Sequence, residues 1–272
     1  MSRARMLAVA VGLCISAVLA PHSSGAADDD RFDIVGLRLG MTPEEALTAL
    51  RAHGVNEESI DESRLVYNYS DGLKHDYSTE DFIYTIVGHV DDRIDGKRRT
   101  DTFKLYFSPP PEGGKLMAVQ RTIENNVNPV TNAQFREAVI GKYGEPALKD
   151  SVLAHWKFGG GTENCFSSIP NGIGFGMPGK DASILSSVFT RSNNQYMLDR
   201  FQNPRVTSLD DCASMLEYQI GAVDNMPATT VNARMIDVKA WVKAELAANE
   251  WVEGLRQKAI RERESQGAKP AL

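Results

Sequence analysis

Two short stretches of the chain carry the same pattern of apolar and polar positions. Ala46, Ala49 and Leu50 follow Thr42 at the offsets at which Phe135, Ala138 and Val139 follow Thr131. Such spacing gathers the three side chains on one face of a short helix. Each threonine is followed three residues later by an acid or amide, Glu45 or Gln134. In such a capping box the hydroxyl accepts the N3 amide and the N3 side chain reaches back to the amide of the cap. Each helix is expected to stop at a glycine, Gly54 or Gly144, with Pro146 reinforcing the second stop. The two segments read as one unit used twice.

After each helix the period shortens to that of strands. The first set covers 65–69, 82–90, 102–107 and 116–123; the second covers 152–158, 172–175, 184–190, 215–220 and 231–238. Phe103-Lys-Leu-Tyr-Phe107 and Met117-Ala-Val-Gln-Arg-Thr-Ile123 have the β-branched and aromatic content of half-buried strands. Asp95-Gly96 and the Pro109 to Gly114 stretch punctuate the first set. Strands joined by short turns favour an antiparallel meander over a parallel sheet with helical crossovers. From about Asp237 to Glu264 the helical period returns, with Trp241, Ala244, Ala248, Trp251, Leu255 and Ala259 as its apolar stripe. Arg256, Lys258, Arg261 and Arg263 stand near its end, where the helix dipole favours cations. Residues 267–272 read as a frayed tail.

One apolar run has no polar alternation. Met6 to Leu19 follows Arg3 and Arg5 and is short for a membrane span, and Ser24-Gly-Ala26 supplies small residues before Ala27. This is the form of a secretory signal peptide, residues 1–27, so the mature chain is expected in the periplasm or outside the cell. Cys14 follows bulky Leu13 inside the run, an unsuitable setting for lipidation. The full chain carries a formal charge of -6, and loss of Arg3 and Arg5 takes it to -8. Nucleic acid is an unsuitable partner for such a chain, since binding it needs a basic face. A composition 42% hydrophobic and 24% charged is that of a globular protein.

Cys165 and Cys212 remain after cleavage, and two cysteines in an exported chain are expected to form a disulfide. Other motifs fail on chemistry. Gly174-Phe-Gly-Met-Pro-Gly-Lys-Asp181 fits the spacing of a phosphate loop, but Asp181 replaces the hydroxyl that holds magnesium. A turn between strands is expected there, and no nucleotide. Asp91-Asp-Arg-Ile-Asp-Gly96 resembles a calcium loop, yet Arg93 sits at a ligand position and the distal glutamate is missing. His53, His75, His89 and His155 are dispersed without metal-ligand spacing. His75-Asp76, and His89 with Asp91, become acid-base candidates only if folding assembles them. No serine-nucleophile signature occurs. Asn68 opens an Asn-Tyr-Ser sequon, meaningful only in a eukaryotic host.

Gly36-Leu-Arg-Leu-Gly-Met-Thr-Pro-Glu-Glu-Ala46 and Lys142-Tyr-Gly-Glu-Pro146 resemble the turn and helix boundaries of small periplasmic proteins of the SmpA/OmlA type. They are similar also to the helix-then-sheet repeats of β-lactamase-inhibitor-like proteins. The resemblance covers only the helical part of each half, and it implies a fold type and a tendency to bind proteins. The chain lacks the lipobox of the lipoprotein family and is longer.

The expected fold is α+β, with two related helix-plus-antiparallel-sheet units followed by a long C-terminal helix. Residues 28–125 form the first unit, 126–236 the second, and 237–272 the helix and tail. The expected function is an exported, non-enzymatic module that binds another envelope protein, with no cofactor and no metal. Trp241 and Trp251 are the candidate binding surface. The alternative is a periplasmic hydrolase with a site assembled from dispersed His and acidic residues, His155 and His89 among them. A factor that binds lipid or peptidoglycan would need a basic or apolar groove.

Overall fold

The computed structural model describes residues 31–73, 75–149, 151–160 and 213–266. The signal segment, Cys165, Cys212 and the Gly174 to Asp181 stretch lie outside the described residues, as do the strands expected at 172–175 and 184–190. The described elements are α1 (Pro43–Ala52), β1 (Ile60–Leu65), β2 (Asn68–Ser70), β3 (Asp76–Ser78), β4 (Phe82–Ile94), β5 (Lys97–Phe107) and β6 (Leu116–Asn125), then α2 (Asn132–Tyr143), β7 (Leu148–Lys149), β8 (Leu153–Phe158), β9 (Ser214–Gln219), β10 (Thr230–Ile236) and α3 (Val238–Ser265). The chain is α+β, and its strand pairings are antiparallel among the described residues.

Both helix starts are capping boxes. The Glu45 amide donates to Thr42 Oγ1 at 3.3 Å, and the Thr42 amide donates to Glu45 Oε2 at 2.8 Å. At the second helix the Gln134 amide donates to Thr131 Oγ1 at 3.2 Å, and the Thr131 amide to Gln134 Oε1 at 3.0 Å. Gly54 and Gly144 take φ of +97° and +84° at the helix ends, conformations that L side chains rarely adopt. The first apolar triplet buries Ala46 and Leu50; of the second, Val139 is buried, Phe135 half-buried and Ala138 exposed.

Among the described residues eight strands form one sheet in the order β1-β4-β5-β6-β10-β9-β8-β7. Inward from one edge, β1, β4, β5 and β6 follow in chain order after α1. Inward from the other, β7, β8, β9 and β10 follow after α2. The two runs meet in a ladder from Thr230–Glu124 to Ile236–Ala118. One row of paired residues crosses the whole sheet: Ile60, Gly88, Phe103, Arg121, Ala233, Tyr218, Ala154 and Lys149. A separate sheet under each helix is therefore not what forms, and the expected boundary at 125/126 divides a single sheet. The reason is energetic: unpaired, β6 and β10 would each expose a row of backbone donors and acceptors.

Both helices cover the same face. Leu50 and Val139 share one apolar cluster with Ile86, Phe103, Leu105, Trp156, Leu216 and Val231. Gly88 lies under α1, where an added Cβ would stand 3.1 Å from Val55 Cγ1 and 3.2 Å from Leu50 Cδ1. The segment before α1 crosses to the second half of the sheet. Phe32 stacks on Phe158 at 4.4 Å, and the Tyr143 hydroxyl donates to the Asp33 carbonyl at 2.5 Å.

The opposite face carries Tyr106, which alternates with Leu105, and α3 packs there with Trp241 5.5 Å from the Tyr106 ring. Asp237 Oδ1 caps α3 by accepting the Ala240 amide at 2.8 Å. Trp241, Ala244, Ala248 and Ala259 are buried, and Trp251 and Leu255 half-buried, as the apolar stripe requires. Among the described residues no helix is long and apolar enough to cross a membrane.

Two elements depart from the sequence pattern. β1 reads Ile-Asp-Glu-Ser-Arg-Leu and is exposed along most of its length, so neither face carries the apolar alternation that marks a strand. β2 and β3 form a separate two-stranded sheet where a single strand at 65–69 was expected. At the β4–β5 hairpin, Asp95 and Gly96 take φ of 51° and 76°, the positive pair of a type I′ turn. Arg98 pairs with Asp91 at 2.8 Å across this hairpin and Arg99 with Asp92, so the calcium-like stretch is an ion-paired turn.

Candidate binding site

A cavity of about 700 Å³ opens at one end of the sheet. There β5 ends, β6 and β9 begin, β8 ends, and β10 hands over to α3. Backbone bonds hold this corner: the Gly40 amide donates to Leu116 O, the Leu116 amide to Met41 O, and the Asp237 amide to Met117 O, at 2.8, 2.8 and 2.9 Å. Phe32, Leu116, Met117, Phe158 and Ala244 give the cavity an apolar floor. Four cations line it: Arg38 from the turn before α1, Lys115 at the approach to β6, and Lys239 and Lys243 one turn apart on α3. Among the described lining residues the acids are Glu112 and Asp237, and Asp237 is engaged in capping α3. Glu45 also lies within reach of this charge. Its pKa is lowered first by hydrogen bonds from Thr42 and further by Lys115 and Arg38.

A second polar group lies on the helix-covered face. Arg121 holds Asp101 through two guanidinium nitrogens, Nε to Oδ1 at 2.9 Å and Nη2 to Oδ2 at 2.6 Å. His53 Nε2 stands 2.8 Å from the same Asp101 Oδ2. Burial works against the Arg121 charge, and Asp101 more than offsets it, so the guanidinium pKa is raised. Beside it the Tyr143 and Tyr218 oxygens are 3.3 Å apart. Tyr143 gives its proton to Asp33, so Tyr218 donates to Tyr143. Burial pushes both phenols to higher pKa, and for Tyr143 the neighbouring Tyr218 adds to the effect. Both carboxylate oxygens of Asp101 are thus engaged by the bidentate guanidinium. The group is a clamp between α1, the central strands and the end of α2.

The remaining histidines do not assemble. His89 on β4 and His155 on β8 share a face but stand five strand spacings apart, about 24 Å. His75 and Asp76 are exposed on the separate hairpin, and Asp91 is held by Arg98. Among the described residues no cluster of His, Cys, Asp and Glu is placed to hold a metal ion. Trp241 is only 2% exposed and serves the packing of α3, which corrects its reading as a surface anchor; Trp251 is half-buried on the same helix.

Sequence reasoning missed the aromatic hairpin. Tyr69 and Tyr77 pair across β2 and β3 with rings stacked at 5.3 Å. Tyr67 falls on the same face by alternation, 5.2 Å from Phe82, while Asn68 and Ser78 bond to each other on the other face. Leu65, Val66, Leu73 and Tyr77 nearby are 40%, 44%, 75% and 39% exposed. The available signal was tyrosine at every second position, Tyr67 and Tyr69, with Tyr77 after a glycine turn. The cavity left no such trace, because its cations are separated by up to two hundred residues. No protein family, curated protein or solved structure matches the chain.

Proposed function

We propose that the chain is an exported, non-catalytic binding module of the cell envelope, built from two related helix-plus-sheet units. It engages another envelope protein through the aromatic face of the β2–β3 hairpin. That hairpin carries the reading: tyrosines that lie stacked and partly exposed on one face, with polar residues behind, are the side chains that dominate protein interfaces. The hairpin stands between β1 and β4, whereas β7 runs on to β8 with only three residues between them, so it is an addition to one unit.

Support for the two units comes from the row that crosses the sheet. Counted outward from its centre, Phe103 on one side answers to Tyr218 on the other, and Gly88 to Ala154. Each N-cap threonine precedes the outermost residue of that row by 18 positions, Thr42 before Ile60 and Thr131 before Lys149. The hydrolase alternative has less behind it, since His89 and His155 are far apart and Asp101 is occupied by Arg121.

The test is photocrosslinking in the envelope with a benzophenone side chain placed at Tyr77, at Tyr69, or at Ser78 on the polar face. One discrete adduct from the tyrosine positions, absent from Ser78 and lost in a Tyr69→Ala/Tyr77→Ala chain, is the expected result. Equal labelling from both faces, or a chain that fractionates with the cytoplasm, would defeat the reading.

A further inference from the structure

We infer that the partner of the aromatic hairpin is a protein with a basic surface, which seats a lysine or arginine against the Tyr69–Tyr77 ring pair among the carboxylates around it. The inference rests on the reading of that hairpin as a docking face and names the chemistry the face selects. Three observations lead to it. The first is where the charge of the chain resides. Residues 57–81, which hold β1, β2 and β3, contain eight acids against Arg64 and Lys74, a formal charge of -6. The remainder of the chain balances, with 28 acids and 28 lysines and arginines, so this one stretch carries the whole net charge. Such a field draws in a cationic surface and repels nucleic acid or an anionic membrane.

The second observation is that half of these acids are not answered within the fold. Arg64 is shared by Glu62 and Asp81, Glu57 pairs with Arg51, and buried Asp71 accepts the Leu73 and His75 amides. Lys74 lies outside the described residues. Glu58, Asp61, Asp76 and Glu80 are exposed and take no ion pair among the described residues. Asp76 precedes Tyr77 on β3, Glu80 lies between β3 and β4, and Glu58 and Asp61 lie at the head of β1. An acidic partner would meet repulsion there, whereas a basic one finds complementary charge at the rim. The third observation is in the rings. Elsewhere in the molecule Arg31, Arg121, Lys104 and Lys142 stand over Phe32, Phe103, Tyr106 and Tyr143. No lysine or arginine among the described residues stands over Tyr69 or Tyr77, although Tyr69 is half-buried and Tyr77 39% exposed. Ring faces that reach solvent beside unpaired carboxylates favour a cation supplied from outside.

The experiment uses the full mature chain in the envelope with a benzophenone side chain at Leu73, which is 75% exposed and leaves both tyrosines intact. The adduct yield is expected to fall as sodium chloride rises from about 0.05 to about 0.5 M, because screening acts on charge at the rim. Asp61→Lys/Asp76→Lys/Glu80→Lys should cut the yield about tenfold or more. Its melting temperature should stay unchanged, since the three side chains are exposed. If that variant loses stability, Asp61→Asn/Asp76→Asn/Glu80→Gln serves the same comparison. Glu137→Lys/Glu145→Lys/Glu250→Lys makes the same change of charge at exposed positions away from the hairpin and should leave the yield near that of the parent chain. Tyr77→Phe keeps the ring and should retain the adduct, whereas Tyr77→Leu should weaken it. Mass spectrometry of the adduct should place the crosslink in a partner peptide rich in lysine or arginine. An adduct indifferent to salt and to charge reversal, one lowered equally by the remote variant, or a crosslinked peptide without basic residues would overturn the inference and leave the hairpin a docking face. No adduct from the parent chain would defeat the docking face itself, and this inference with it.

Discussion

Thr42 and Thr131 show how much a single hydroxyl contributes when it stands at a helix start. Each accepts an amide that would otherwise lack a partner, and the glutamate or glutamine three residues on accepts another. Replacing either threonine by alanine is expected to cost about 1 kcal/mol of stability. The two losses should be additive in chemical denaturation, since the caps share no partner. A change below about 0.3 kcal/mol at either site would mean that solvent satisfies the freed amides equally well. These caps were legible because capping is local: the donor, the acceptor and the following helix lie within four residues. Asp101 and Arg121 were not legible as a pair. Each could be read only as a charge in a strand, and their meeting depends on the register of β5 against β6.

At the scale of elements, α2 is fastened to the segment before α1. The Tyr143 hydroxyl donates to the Asp33 carbonyl, Lys142 Nζ reaches Asp33 Oδ1 at 3.0 Å, and Trp156 Nε1 donates to the Gly144 carbonyl at 2.9 Å. Burial keeps the Tyr143 and Tyr218 phenols protonated in the fold above the ordinary tyrosine value of 10.0. The unfolded chain loses those protons near pH 10, so this contribution is complete below that pH and declines as pH rises beyond it. Each phenol can remove up to about 1.4 kcal/mol per pH unit in that window. Tyr143→Phe should therefore lower stability at pH 7 through the lost hydrogen bond, yet flatten the decline above pH 10. Urea melts at pH 7, 9.5 and 10.5 measure both effects, and an unchanged alkaline slope would remove these phenols from the account. Among the elements, α3 was legible because its stripe spans many turns. β1 was not: an edge strand exposed on both faces has no reason to alternate.

The molecule as a whole turns on the ladder between β6 and β10. The helices and most of the described strands were visible from period and turn chemistry. The choice of β6 to pair with β10 could not be read, because Ala118 and Ile236 meet across more than a hundred residues and no local pattern names the partner. The same distance hides the cavity, which exists only once the start of β6 and the start of α3 stand side by side. One sheet and one cluster that joins Leu50 to Val139 imply a single cooperative unit. The full chain is expected to unfold in one transition, with fluorescence and circular dichroism coincident. A fragment of residues 28–125 would end at a bare β6 and would leave Phe32 without Phe158 and Asp33 without Tyr143. It should either fail to fold or pair with a second copy through β6, because an open strand edge bordering an exposed apolar face recruits another strand. If the two units descend from one two-fold arrangement, the copy-to-copy ladder is the favoured outcome, and sedimentation of the fragment should give a dimer. A folded, monomeric fragment with dispersed amide resonances would show that the first half holds its own core and that the shared sheet came later.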